Sequence, residues 1–74
     1  MQSPKTTYLL PIISHDFKTA KKFIENLFET QFVIDILMKY QGNISFAAKN
    51  GGLTIAELEE LIAKHNINVE SFKR

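Results

Sequence analysis

The sequence predicts an all-α domain, with one long helix followed by two short ones, built to pair with a second copy of itself. No proline or glycine interrupts the chain from Phe17 to Tyr40. Apolar residues in that stretch recur with a helical period rather than the alternation of a strand. Downstream, Gly42 and then Asn50-Gly51-Gly52 divide the chain into pieces long enough for one short helix each.

The first element is the helix expected over the proline-free stretch, with Ser14 or Asp16 as its N-cap, accepting from first-turn amides. In its first half, Phe17, Ala20, Phe23, Ile24, Leu27 and Phe28 form one apolar stripe on the helical wheel. Lys18, Lys21, Lys22, Glu25, Asn26 and Glu29 cover the other side as a solvated face. The second half is different. There Phe32, Val33, Ile34, Ile36, Leu37, Met38 and Tyr40 surround most of the axis, and Gln31, Asp35 and Lys39 form the polar strip. That strip lies on the side that was apolar half a helix earlier, so the buried face switches near Thr30-Gln31. Two bodies must therefore pack on one helix. The helix pair after Gly42 is one. A second subunit is the simplest other, with the tail from Tyr8 to Ile13 folding back as the alternative. The expected dimer interface is thus Phe17, Ala20, Phe23, Ile24, Leu27 and Phe28.

Gly42 is expected to end this helix, and Asn43 or Ser45 to cap a second from about Ile44 to Lys49. Asn50-Gly51-Gly52 then turns the chain, with glycine supplying a positive φ. "TIAE" has the form of a capping box, Thr54 and Glu57 reciprocally satisfying each other's amides, for a third helix running to about Lys64. Leu58, Leu61 and Ile62 point inward on its wheel, with Ile55 at the edge, while Ala56, Glu60 and Ala63 point outward beside Glu59. Val69 and Phe72 are expected to tuck against the preceding helices. Two crossing helices need a small residue where they touch and a glycine in the turn, and Ala48 and Gly52 fit those slots. Ala47, Leu53, Leu58 and Leu61 fit the apolar ones. A helix-turn-helix follows from that spacing, with a generic helical hairpin as the alternative.

Composition narrows what such a domain does. Seventy-four residues make one domain close to the size at which a lone core is marginal, which again favours pairing. With no cysteine there is neither a disulfide framework nor a thiolate metal cluster, and the chain fits a reducing compartment, the cytoplasm. A formal charge of +1, with Arg74 the single arginine, gives no broad basic field. No apolar run is long enough to span a membrane, and "TTYLLPIIS" is too short and broken for a secretory signal. Residues 1–13 read as a linker or disordered tail, as of a piece cut from a longer protein, and residues 14–74 as the domain. His15 and His65 lie far apart without thiol partners, so no metal site is expected. Ser14, His15 and Asp16 are sequence neighbours, which does not make a triad. "NGG" lacks the lysine and spacing of a phosphate loop. No catalytic residue and no cofactor is expected.

The segments "DFKTAKKFIENLFE", "GNIS.AA...G" and "KHNINVESFKR" together resemble the Fis-type domain that closes the NtrC group of sigma-54-dependent activators. The resemblance covers about residues 16 to 74. It implies a homodimer paired through its long helices, each subunit laying a recognition helix in the major groove of palindromic enhancer DNA. It also implies a receiver and an AAA+ ATPase domain upstream, through which alone the sigma-54 polymerase would be reached. On that basis Asn43 and Ser45 would position phosphates, Thr54, Ile55, Ala56, Glu59 and Glu60 would face bases, and Lys64 would sit near the DNA backbone. Phe46, Ile55 and Glu60 stand where the family commonly carries arginine, and Ala63 where it often has lysine. Fewer cations mean weaker attraction to phosphate, and the exposed glutamates add repulsion. The alternative is a degenerate helix-turn-helix kept for dimerisation or protein contact, with Phe46, Ile55, Ala56 and Ala63 as its docking surface.

Overall fold

The computed structural model describes residues 10–73. Its elements are α1 (Phe17–Lys39), α2 (Ile44–Asn50), α3 (Ile55–Lys64) and a closing 3₁₀ turn (Val69–Phe72), with no strand among the described residues. The all-α expectation holds. Residues 10–13 have no regular secondary structure, and the remainder of the expected tail, residues 1–9, lies outside the described residues.

Asp16, not Ser14, caps α1. Its carboxylate accepts from the Thr19 amide at 2.9 Å and from the Thr19 hydroxyl at 2.8 Å, while Ser14 Oγ accepts from the Asp16 amide at 3.0 Å. Between Ser45 and Asn43, Asn43 is the cap of α2. The capping box of α3 is present in both directions.

All three helices end in the same way. The amide two residues past the C-cap bonds back to the third carbonyl from the end: Gly42 to Leu37 at 2.8 Å, Leu53 to Ala48 at 2.9 Å and Ile67 to Ile62 at 3.0 Å. This is the Schellman closure, which needs a residue of positive φ just after the cap. Gln41, Gly52 and Asn66 fill that place, with φ of 54°, 74° and 53°. The expectation that Gly42 holds it in α1 is therefore corrected. Gly42 stands one residue later, also at positive φ (80°), and its further role is spatial. A Cβ there would stand 2.6 Å from Lys73 Cγ and 3.3 Å from the Val69 carbonyl. The chain after the 3₁₀ turn crosses directly over this glycine.

The core gathers at one end. Val33, Ile36 and Leu37 of α1 meet Ala47 and Ala48 of α2 and Leu58 of α3, all buried. Leu53, Leu61, Ile62, Ile67, Val69 and Phe72 are half-buried around them. Ala48 fills the expected small-residue slot. Gly51 does as much: a Cβ there would lie 3.0 Å from the Ala47 carbonyl and 3.3 Å from Ile36 Cδ1. None of the buried residues of α1 precedes Val33. The first half of α1 therefore projects, and the chain measures 51 × 23 × 21 Å. Its radius of gyration, 15.6 Å, compares with roughly 11 Å for a compact chain of this length.

The switch of faces is visible in the packing. Val33, Ile36, Leu37 and Tyr40 meet the later helices. Phe17 and Phe28, from the early stripe, remain 77% and 62% exposed. Leu10, Ile12 and Ile13 are exposed as well, and Ile12 and Ile13 flank Ala20, Phe23 and Ile24, which are half-buried. No helix is long and apolar enough to cross a membrane, among the described residues.

Candidate nucleic-acid interface

The outer face of α3 is built by its inner one. Leu58 is fully buried, and Leu61 and Ile62 are half-buried beside it. A helix anchored on one stripe must turn the opposite one to solvent. Thr54, Ile55, Ala56, Glu59, Glu60, Ala63 and Lys64 are accordingly exposed. The sequence-predicted reading residues thus share one accessible face.

Several of those side chains are already engaged. Thr54 Oγ accepts from the Glu57 amide at 3.0 Å, and Glu57 Oε1 accepts from the Thr54 amide at 2.9 Å. Asn43 Oδ1 accepts from the Phe46 amide at 3.1 Å, leaving its amino group for another partner. Ser45 is exposed. Phe46, 57% exposed, meets Tyr40 edge-on at 6.4 Å between ring centres, so its ring is both supported and accessible. The Asn50 side-chain amide donates to the Phe46 carbonyl at 2.9 Å, closing α2 locally.

The lysine of α3 points back toward α1. Lys64 Nζ lies 3.0 Å from Glu29 Oε1, and His65 Nε2 lies 2.8 Å from that same oxygen. The imidazole bond, and next the ammonium, hold the Glu29 carboxyl below the ordinary glutamate range. Its neighbours in the first half of the helix put Glu29 on the solvated face. It instead heads the later face, in register with Val33, Ile36 and Tyr40 at four, seven and eleven residues on. That register was the available signal. With Lys64 paired, the exposed face of α3 offers two glutamates, short apolar side chains and no unpaired cation, among the described residues.

At the other end of α1 the expected dimer residues flank two shallow hollows. Phe17, Ala20 and Ile24 line one with Ile12, and Phe23 lines the other with Ile13, Lys18 and Lys22. Leu27 is exposed, and the Phe28 ring stacks on Phe32 at 5.7 Å. The chain matches no protein-family model, no curated protein and no solved structure.

Proposed function

We propose that this chain is the dimerising, DNA-reading domain of a sigma-54-dependent transcriptional activator of the NtrC group, working in the cytoplasm. Two protomers pair along the early stripe of α1, and each presents its α2–turn–α3 unit, a helix-turn-helix, to double-stranded DNA. The observation that carries this reading is the division of labour along α1. One face holds α2 and α3 through Val33, Ile36 and Leu37, while Phe17, Leu27 and Phe28 of the early stripe stay exposed on another. A twin on that stripe would lie on the side of α1 away from the face that holds α2 and α3. No chemistry on a substrate is assigned to the chain. The polymerase would be reached only through upstream domains.

The test is a titration of the protein with duplex DNA at low and moderate salt. A reader binds with sub-micromolar affinity at low salt and loses it steeply as salt rises, because counterions are released from the phosphates it covers. Absence of measurable binding at low salt would remove the DNA reading.

A second reading is favoured by the chemistry of the exposed face. Glu59 and Glu60 lie beside Ile55, Ala56 and Ala63, and Lys64 is tied to Glu29. That combination suits a protein partner better than a polyanion. The same titration separates the two.

A further inference from the structure

The ion pair that occupies Lys64 is made by one residue of the long helix, and its geometry suits exchange. Both Lys64 Nζ and His65 Nε2 converge on the single oxygen Oε1 of Glu29. The two groups differ in access. The Lys64 side chain is about half exposed, whereas that of His65 is only 10% exposed, within the packing between α1 and α3. We infer that Glu29 is a latch: it holds Lys64 in the place of a phosphate, and a duplex binds by drawing Lys64 away while His65 stays on the carboxylate and keeps α3 seated. This inference rests on the DNA reading above.

The physical grounds are those of competing anions. A carboxylate oxygen and a phosphate oxygen ask the same thing of an ammonium group, a short charge-assisted hydrogen bond. An exposed pair between single side chains is weak and screened by salt. A duplex presents a dense line of phosphates against that one carboxylate. Lys64 is the only lysine of α3, so its release would put the missing cation on the flank of the exposed face.

The experiment is a double-mutant cycle on the full chain, using a mixed-sequence DNA duplex as the probe. Binding is measured for wild type, E29Q, K64A and the double variant at two salt concentrations. Glutamine keeps an acceptor for His65, so the fold is retained, which circular dichroism checks. E29Q should bind about two- to fivefold more tightly, the range expected for breaking an exposed pair. Its dependence on salt should match that of wild type, since Lys64 reaches a phosphate in both complexes, and each K64A variant should be shallower by about one phosphate contact. K64A should weaken binding less in the wild-type background than in the E29Q background, where it should abolish the gain. If E29Q binds no better than wild type, or gains equally without Lys64, the latch is overturned while the DNA reading stands. If no variant binds the duplex at low salt, the DNA reading falls and the latch with it.

Discussion

Glu29 and His65, 36 residues apart in sequence, share a 2.8 Å hydrogen bond that ties the middle of α1 to the end of α3. The bond favours the ionised carboxyl, so the folded-state pKa of Glu29 lies below its ordinary value of 4.5. A group depressed in this way contributes stability that is fully present above its unfolded pKa and lost as pH falls through the folded one. Asp16 is depressed in the same sense by the Thr19 amide and hydroxyl. Thermal unfolding followed downward from pH 7 should therefore show stability falling from near 4.5 and below. E29Q should flatten part of that fall, and E29Q with D16N more of it. Equal acid sensitivity in wild type and both variants would remove these two carboxyls as its source.

Gly51 and Gly52 are adjacent and are needed for different reasons, which substitution separates. Gly52 has φ of 74° and open space around its missing side chain. Gly51 has an ordinary φ of −91° but is pressed against Ala47 and Ile36. Alanine at Gly52 should cost about 1 kcal/mol through backbone conformation, and asparagine less, since Asn tolerates that region. At Gly51 the order reverses, because the larger asparagine meets α1 and alanine only crowds it. Denaturant titration of the four variants reads both orders. G42A should be the most harmful glycine change, combining positive φ with the approach of Lys73.

What the sequence disclosed and what it concealed follow from the range of each interaction. Caps, the capping box and the switch of faces along α1 depend on residues a few places apart, and they are legible as spacing. Gly42 has the local character of a helix terminator, although Gln41 takes that place. Its spatial role depends on Val69 and Lys73, which the order of residues does not place overhead. Glu29 stands where the two apolar registers of α1 hand over, and its own neighbours belong to the earlier one, so spacing alone puts it on the solvated face. Of the candidate site, the outward face of α3 was readable from its wheel. The pairing of Lys64 was not, since Glu60 stands at the nearer, helical spacing.

Thr54 closes the start of α3 with a hydroxyl that accepts the Glu57 amide at 3.0 Å. Thr54→Ala should destabilise the domain by about 1 kcal/mol, whereas Thr54→Ser, which keeps the oxygen, should cost little. DNA affinity measured on these two variants separates capping from contact. Loss in T54A together with retention in T54S at matched folded fraction assigns the oxygen, and loss in both assigns the methyl group.

Leu27 lies in the early stripe, 42% exposed, ahead of every buried residue of α1. A change there should leave the core formed with α2 and α3 intact while disturbing whatever covers the stripe. In a symmetric pair it would be buried once in each protomer. Full burial of a leucine is worth about 1.5–3 kcal/mol, so Leu27→Glu removes roughly two-fifths of that twice, the share still exposed, and adds two charges. The dimer dissociation constant should weaken by at least about tenfold. Sedimentation should show wild type as two copies and L27E as one, and the melting temperature should rise with protein concentration in wild type alone. Far-ultraviolet circular dichroism of L27E should retain the helices of the packed end. A wild-type chain that sediments as a single copy at high concentration, with a melting temperature independent of concentration, would leave the early stripe of α1 without the partner assigned to it.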